Sequence, residues 1–434
     1  MNNRKEYHLE WIDALRGFAA MWVIVYHCRV DLWVGFNAIH QTPGAYSAFD
    51  RLAAWLSLPT AFGGGAVMLF FVVSGFCVHL PYAAENRPLN IIQYGLRRVL
   101  RILPPYLLAV ALTCMIEWII FWLGGNAPTP LQQVAGVSLM IQNYGAHGGQ
   151  LLTNGSLWSV PVEVEFYIVY LLFHYLLRST DGFLTGTVVA TCSLLATMGY
   201  LHGVKNLGGN FLHFWAIWCA GALLAEWLKR GRIPAFRTWN GLMVLVLGMG
   251  AMALDKHQRY LGIVEYLWGG VYFHVVWLAL LYPSSIHKFP DWCVRLFVWL
   301  GKVSYSAYLI HFPLFALAGF LWEHFTGGKP ANFLVTLFFS VSVWAAAWLS
   351  WKFCEHPFHR LSQSLAKRIS TDIPVLIQTT TAQAKTAILY LREAARLRAL
   401  LVGLRDLENR VASMTAPAFA GFPLRFRQVR LRSG

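Results

Sequence analysis

A cation and an imidazole share one face of the first apolar segment, and together they could bind a ligand and move a proton. Arg16 and His27 are eleven residues apart in the stretch LRGFAAMWVIVYHC. Eleven residues make roughly three helical turns, so the two side chains share a face, about 16 Å apart along the axis. Ionisable groups inside a membrane segment usually mark a ligand or proton path. The structural alternative is that Arg16 pairs with Asp13 and His27 is hydrogen-bonded inside a bundle.

An arginine cluster in GLRRVLRILPPY could bind phosphate. Arg97 and Arg101 share a helix face at i,i+4 spacing, and Arg98 lies between them. Guanidinium groups bind phosphate with paired hydrogen bonds and stay charged at any working pH. We expect Pro104 and Pro105 to loosen the start of the following helix, where freed backbone groups could line a cavity. The alternative is a plain anchor at the inner membrane surface.

A carboxylate stands out in the stretch NGSLWSVPVEVEFYIVY. Proline is tolerated in the first turn of a helix, so Pro161 predicts a helix start near Ser159. Ser159, Glu163 and Tyr167 then share a face at i,i+4 spacing, while Glu165 points elsewhere. Glu163 lies near the helix N-terminus, where a carboxylate is favoured, and a structural cap is its alternative role. We expect this end of the helix to be extracytoplasmic, on the same side as His27.

Two more apolar segments carry polar positions. In VMLFFVVSGFCVHL, Ser74 and Gly75 permit close approach by another helix or by a thin ligand. In KVSYSAYLIHFPLF, Ser304, Tyr308 and His311 form one polar stripe at spacings of four and three. A hydrogen-bond network in the core explains that stripe equally well.

The elements that must position these residues are membrane helices. Of the 434 residues, 57% are hydrophobic and 13% are charged, whereas a soluble domain is about 25% charged. An apolar run at 131–144 is too short to span and is predicted to be re-entrant or interfacial. The sequence therefore predicts an all-α, polytopic transmembrane helix bundle of about ten spans. These are residues 11–30, 60–80, 102–123, 157–177, 184–203, 211–228, 238–254, 261–282, 296–320 and 331–353.

The net charge of +15 is distributed as a topology signal. The tail, residues 361–434, carries 12 Lys and Arg against 4 Asp and Glu. The remaining Lys and Arg residues lie mostly in loops on the same side as the chain termini. This distribution predicts that both termini are cytoplasmic. No groove-reading motif accompanies the charge, so we expect no nucleic-acid partner. In the tail, leucines at helical spacing between 397 and 411 predict a basic amphipathic helix that lies on membrane lipid or binds a partner.

The cysteines and histidines give no metal-ligand spacing. The seven cysteines are scattered singly in apolar runs, and we expect them to be small buried apolar residues. His356 and His359 in the closing stretch KFCEHPFHRL are predicted to be interfacial, and we expect no metal site. Asp13 and Arg16 interrupt the first apolar run and no cleavage site follows it, so a retained first span is expected.

Taken in order, these motifs resemble the acyltransferase-3 family of integral membrane acyltransferases, of the O-acetyltransferase type. The resemblance covers residues 9–360 and rests on Arg-x10-His, FFVVSGF, RRVLRILPPY, SLWSVPVEVEFY, SYSAYLIHFP and EHP. It implies a multi-pass protein of the bacterial inner membrane, with a transmembrane acyltransferase domain at 1–360. Such a protein moves an acyl group, usually acetyl, from cytoplasmic acyl-CoA to a hydroxyl of an extracytoplasmic glycan or glycolipid. Acyl-CoA would be a co-substrate, with no cofactor bound.

The resemblance also assigns roles to residues. Arg16 and His27 would be the essential pair, the three arginines donor-side residues, and Glu163 the leading acid of the fourth span. The family's Val-Glu-Glu-Gln-Phe-Tyr reads Val-Glu-Val-Glu-Phe-Tyr here, after a proline, so acceptor choice is open. Many members carry an added extracytoplasmic hydrolase-like domain. None is recognisable here, and we expect the membrane part to deliver the acyl group itself or through a partner.

The expected mechanism places acyl-CoA phosphates on the arginines and its pantetheine arm along the bundle toward His27. His27 would act as general base, or as the nucleophile of an acyl-histidine variant. Glu163 would orient His27 or hold the acceptor. Polar groups expected to line the substrate path are Ser74, Ser159, Tyr167, Ser304, Tyr308 and His311. The rival hypotheses are a proton-coupled transporter or flippase of a glycan or lipid, and a non-catalytic scaffold.

Overall fold

The computed structural model describes residues 2–84, 89–144 and 149–372, with isolated positions between 392 and 406. The chain divides into two units, residues 1–366 and residues 367–434. The helices that hold the candidate site all belong to the first unit. The leucines of the predicted tail helix lie outside the described residues.

The described part of the chain is helical, and no β-strand occurs in it. Short 3-10 segments at Leu58–Ala66 and Gly155–Trp158 precede two of the α-helices, and a π-turn at Trp351–Glu355 follows another. The α-helices are α1 (Asn2–Leu32), α2 (Phe36–Gln41), α3 (Ala48–Leu56), α4 (Val67–His79), α5 (Ile91–Trp122), α6 (Leu131–Ser138), α7 (Ser159–Ser179), α8 (Gly182–Leu201), α9 (Phe211–Lys229), α10 (Thr238–Leu254), α11 (Leu261–Leu281), α12 (Asp291–Thr326), α13 (Phe333–Ser350) and α14 (His356–Asp372).

Eight helical segments of the described residues are long and apolar enough to cross a membrane. The two remaining predicted spans are also helical, as α1 with 31 residues and the shorter apolar α10 with 17. The prediction of an all-α polytopic bundle is therefore confirmed. Helix α6 has only 8 residues, about 12 Å of helix, which confirms that the run at 131–144 does not span.

Glycines allow α4 and α9 to pack with their backbones nearly in contact. A Cβ atom on Gly75 would lie 1.8 Å from the carbonyl oxygen of Trp218, and one on Gly221 would lie 1.9 Å from that of Val72. The close approach predicted at Ser74-Gly75 is therefore made by a helix at Gly75. Small residues at a helix interface are the usual device for such contact in membranes.

A second glycine pair joins α1 to α12, the helix against which α1 packs most extensively. A Cβ atom on Gly17 would lie 2.1 Å from the carbonyl oxygen of Phe297, and one on Gly301 would lie 1.9 Å from that of Asp13. These contacts fix the register between the helix that carries Arg16 and the helix that carries the polar stripe.

We expect Gly75→Ala to destabilise the bundle, because the added methyl group forces α4 away from α9. Overpacking of this kind costs about 1–3 kcal/mol, which thermal unfolding in detergent will show as a lower midpoint. Gly186→Ala in α8 is the matched control, since its Cβ would meet open space and alanine favours a helix over glycine. Equal midpoints for the two variants would contradict the packing argument.

Helix α5 begins earlier than the apolar run suggested. It starts at Ile91, where the Asn90 side chain accepts a hydrogen bond of 3.0 Å from the Gln93 backbone N–H. Pro104 and Pro105 lie inside this 32-residue helix, so the expectation that they loosen the helix start is wrong. A polar helical extension precedes the apolar run, and helix capping rather than hydrophobicity sets where the helix begins.

The chain before α7 enters the bundle. Asn154 is fully buried, and its side-chain amide donates to the Thr113 hydroxyl and to the Leu309 carbonyl, both at 3.0 Å. Ser156 is buried next to it. Helix α7 then starts at Ser159, as predicted. It therefore begins within the bundle, which decides the depth of its polar residues.

Candidate active site

A cavity of about 220 Å³ opens between α1, α4, α5, α7 and α12. Most of the predicted site residues line it, and they come from five helices. Outside its lining are His27, Arg97 and His311. The lining residues predicted from the sequence are Arg16, Ser74, Arg98, Arg101, Ser159, Glu163, Tyr167, Ser304 and Tyr308.

Glu163 is the hydrogen-bonded carboxylate of this cavity. The hydroxyls of Ser74 and Tyr167 each donate to its Oε1 at 2.5 Å. The indole N–H of Trp218 in turn donates to the Ser74 oxygen at 3.1 Å. The partners of Glu163 are side chains of α4 and α7 and not the backbone of the α7 N-terminus, so the structural-cap alternative for Glu163 is wrong. Because Oε1 is occupied by two donors, the other carboxylate oxygen is the one available to a ligand.

Glu165 faces away from the cavity, as predicted. Its Oε2 accepts a hydrogen bond of 2.8 Å from the backbone N–H of Phe211 at the start of α9. This contact ties α7 to α9 and gives the second acid of the motif a structural role.

Two guanidinium groups face the cavity with unused donors. Arg98 lies over the rings of Tyr94 and Tyr167, at 5.4 and 4.9 Å from their centroids, and its buried Nε has no hydrogen-bond partner. Arg101 also has no hydrogen-bonded partner among the described residues. Arg97 is exposed and does not line the cavity. The arginines that share the cavity face are thus Arg98 and Arg101 at i,i+3, not Arg97 and Arg101 as predicted.

Arg16 is held between two polar partners. Its Nη2 donates to the Ser304 hydroxyl at 3.1 Å, and its Nη1 lies 3.8 Å from an oxygen of Asp13. Both charged side chains keep part of their surface accessible, 20% for Arg16 and 32% for Asp13. The pairing with Asp13 considered from the sequence is therefore present, and it leaves the guanidinium facing the cavity.

One turn further along α12, Tyr308 ties the start of α7 to this helix. Its hydroxyl donates to the Ser156 carbonyl at 2.8 Å. The single phenolic proton is used in that bond, so the Ser159 hydroxyl donates to the Tyr308 oxygen at 2.7 Å.

His27 pairs with His311, beyond the contacts of Tyr308 with the start of α7. The Nδ1 atom of His311 contacts the carbonyls of Tyr308 at 2.7 Å and Ala307 at 3.2 Å. Carbonyls only accept, so His311 Nδ1 carries a proton, and its Nε2 accepts in the neutral ring. His311 Nε2 lies 2.9 Å from His27 Nδ1, which must then donate. The Nε2 of a neutral His27 is left with an unshared electron pair, as a general base or nucleophile needs.

The order of contacts along α12 gives the depth of each group. Ser304 meets Arg16, Tyr308 meets Ser159, and His311 meets His27. Glu163 lies one turn beyond Ser159 on the arginine side and lines the cavity with Arg16. The predictions that Glu163 shares the side of His27 and orients it are therefore wrong, because α7 starts inside the bundle.

Three residues of the site region were not assigned a role from the sequence. Cys77 and Tyr305 line the cavity, and Glu355 in the π-turn is buried and accepts from the Ser306 hydroxyl at 2.6 Å. Cys77 lies three residues after Ser74 on the same face of α4, which is the signal that could have found it. Within the described ranges, no three His, Cys, Asp or Glu side chains are grouped as metal ligands.

The arrangement has two chemical ends. At one end, guanidinium groups of α1 and α5 suit an anion. At the other, the imidazole of His27 can accept a proton, about 16 Å further along α1. A long thin ligand with an anionic head and a reactive tip would reach both.

Known proteins resemble this chain along most of its length. The profile of the acyltransferase-3 family, described as an acyltransferase domain, matches residues 9–352. The chain is 23% identical over 411 residues to "Putative peptidoglycan O-acetyltransferase YrhL" of Bacillus subtilis, covering 85% of this chain and 58% of the relative. It is 21% identical over 403 residues to "Putative O-acetyltransferase SAR0937" of Staphylococcus aureus, covering 86% and 61%.

The chain spans about three fifths of the length of these curated relatives. No solved structure matches it. The matched region contains every residue that lines the cavity and both members of the histidine pair. On this match and on its membrane helices, the chain is a multi-pass membrane protein that belongs to the acyltransferase-3 family.

Proposed function

We propose that this protein is a membrane O-acyltransferase that moves an acyl group, in the first place acetyl, from acyl-CoA to a glycan hydroxyl. The observation that carries this proposal is the pairing of two ends in one bundle. Arg98 and Arg101 offer unused donors to an anion, and His27 offers an unshared electron pair further along α1. Family membership fits this assignment, since it makes acyl transfer the expected chemistry.

The donor's diphosphate would bind at the arginine end of the cavity. Arg98 is positioned by Tyr167, whose hydroxyl is fixed by Glu163. We therefore assign Glu163 a positioning role toward Arg98, with its second oxygen free for a donor amide. The pantetheine arm would then run past Arg16 and Tyr308 and place the thioester near His27.

At the thioester, His27 Nε2 would take the proton of the acceptor hydroxyl as its oxygen attacks the acyl carbon. The tetrahedral intermediate would collapse by breaking the carbon–sulfur bond, and the thiolate would recover the proton from the imidazolium. The ester and free CoA are the products. The same electron pair could instead attack the thioester directly, which would form an acyl-histidine and release CoA before the acceptor binds.

The acceptor we propose is an extracytoplasmic glycan. The B. subtilis relative is named for peptidoglycan, and we carry peptidoglycan to this chain as the first acceptor to test. Lipopolysaccharide, exopolysaccharide, a signalling oligosaccharide and a small glycoside are the other acceptors the sequence leaves open. In this proposal the protein lies in the bacterial inner membrane with both termini in the cytoplasm.

The test is release of CoA thiol by purified protein in detergent, supplied with acetyl-CoA and peptidoglycan fragments. We expect release that depends on the protein and is faster with the acceptor, together with acetyl ester on the glycan. The exposed His202→Ala variant, on the loop after α8, is expected to behave as wild type. A transporter or a scaffold would release no CoA thiol, whichever of the acceptors named above is supplied. Absence of thiol release with all of these acceptors would reject the proposal.

A further inference from the structure

A second cavity, of about 400 Å³, lies where α4, α7 and α9 end. The mechanism above makes no use of it. Its volume is within the range of about 300–1,000 Å³ typical of small-molecule sites. Its titratable and charged lining side chains are His79, Tyr82, His174, Arg178, Glu226 and Arg230.

One wall of this cavity is aromatic and carries an unsatisfied polar atom. His174 is 7% exposed, and its Nε2 is buried without a hydrogen-bond partner. The ring of Tyr82 packs edge-on against it at 5.6 Å. A buried ring nitrogen without a partner is costly, and a ligand that supplies a donor or acceptor there would remove that cost.

The opposite wall carries a carboxylate whose oxygens already accept hydrogen bonds from the protein. Glu226 accepts from His79 Nε2 at 2.9 Å, from the backbone N–H of Ala84 at 3.2 Å and from Arg230 Nε at 2.7 Å. Three helix C-termini also meet here and contribute partial negative charge. These negative groups offset Arg178 and Arg230, so the cavity suits a neutral ring with donors and acceptors better than a second phosphate.

The cavity lies next to the arginine end of the active site, and a layer of tyrosine rings stands between the two. Arg98 lies over the Tyr94 ring, which stacks on Tyr170 at 5.5 Å. Tyr170 contacts the Tyr82 ring at 5.9 Å and the His174 ring at 5.8 Å. Burial raises the pKa of Tyr82, and the charges of Arg98 and Arg97 oppose that rise, so both guanidinium groups lie near this wall.

We propose that this second cavity binds the purine base of the donor nucleotide, with Tyr82 and His174 as its contacts. The inference rests on the proposed function, in which Arg98 and Arg101 hold the donor's diphosphate. The base follows the diphosphate on the side opposite the pantetheine arm, and the cavity lies on that side of Arg98. The buried His174 Nε2 meets a ring nitrogen or the exocyclic amine of the base, and the Tyr82 ring packs on its face.

The experiment compares two donors in the full-length protein, acetyl-CoA and acetyl-4′-phosphopantetheine. The second keeps the thioester and one phosphate but lacks the nucleoside. Stacking of a base on an aromatic ring contributes about 1–3 kcal/mol, so Tyr82→Ala is expected to raise KM for acetyl-CoA about fivefold to 150-fold. The kcat value and all kinetics with acetyl-4′-phosphopantetheine are expected to stay unchanged. His174→Leu is expected to act in the same way.

Two controls keep the result specific. Tyr82→Phe retains the ring and is expected to keep the preference for acetyl-CoA. Tyr175→Ala, next to His174 on α7 but 65% exposed, is expected to leave both donors unaffected.

Unchanged acetyl-CoA kinetics in Tyr82→Ala and His174→Leu would overturn the inference and leave the proposed function in place. An equal loss of transfer activity with both donors would also overturn the inference, because it would indicate a structural role of these residues or a lipid headgroup in the cavity. Absence of transfer from either donor by the wild-type protein would instead reject the proposed function itself, and the inference with it.

Discussion

Replacing His27 with alanine is expected to lower kcat for acyl transfer by about 10²–10⁴-fold, the usual contribution of a general base. KM for acetyl-CoA should change little, since His27 does not line the cavity with the arginines. His311→Ala removes the side-chain acceptor of the His27 Nδ1 proton. It is expected to lower kcat less, by roughly threefold to tenfold, the effect of one lost hydrogen bond.

Steady-state kinetics of the purified variants, with His202→Ala as control, measure this order. A His27→Ala enzyme as fast as wild type would remove His27 from the chemistry. A larger loss in His311→Ala than in His27→Ala would make His311 the base and contradict the tautomer assignment. Rapid release of one CoA per protein before glycan is added would select the acyl-histidine variant of the mechanism.

The second large effect is expected at the arginines, where the structure separates three neighbours that the sequence groups together. Arg98→Gln and Arg101→Gln each remove a charge from the cavity wall. Hydrogen bonds to charged groups contribute about 1.5–3 kcal/mol, so each variant should raise KM for acetyl-CoA by roughly tenfold to a hundredfold. Arg97→Gln is the matched control in the same helix, because Arg97 is exposed outside the cavity.

The expected result is a KM for Arg97→Gln within about twofold of the wild-type value, as for an exposed position. Equal increases in Arg97→Gln and Arg98→Gln would show that net charge at the membrane surface, not the cavity, binds the donor. High salt would then reduce binding in all variants alike.

The positions of the helices followed from the sequence because apolar runs of about 20 residues have few other uses. Two boundaries did not follow in the same way. Helix α5 extends from Ile91 through its arginines and past Pro104, since capping at Asn90 can begin a helix well before an apolar run. Residues 151–158 enter the bundle because the Asn154 side chain is hydrogen-bonded there. Hydrophobic periodicity in the sequence does not reveal these bonds.

Within the site, the sequence identified residues better than it identified their partners. Spacings of three and four both place residues on one face, so it could not choose Arg98 over Arg97 beside Arg101. That choice depends on the rotation of α5 against its neighbours. Glu163 was placed at the wrong depth for a related reason, because its depth depends on where α7 begins within the bundle.

The histidine pair shows the same limit more strongly. His27 and His311 are separated by 284 positions in the chain. Each lies in a polar stripe that the sequence shows, but their contact depends on the register of α1 against α12. Gly17 and Gly301 set that register, and a single sequence does not show which glycines face each other.

Acyl transfer across a sealed membrane would show whether the protein joins a donor and an acceptor from opposite sides. Proteoliposomes with the protein in one orientation would receive radiolabelled acetyl-CoA on the side of Arg98 and peptidoglycan fragments on the other side only. We expect the wild-type protein to label the glycan. We expect no label with His27→Ala, even when donor is added on the acceptor side. Label that appears only when donor and acceptor share a compartment would contradict this expectation.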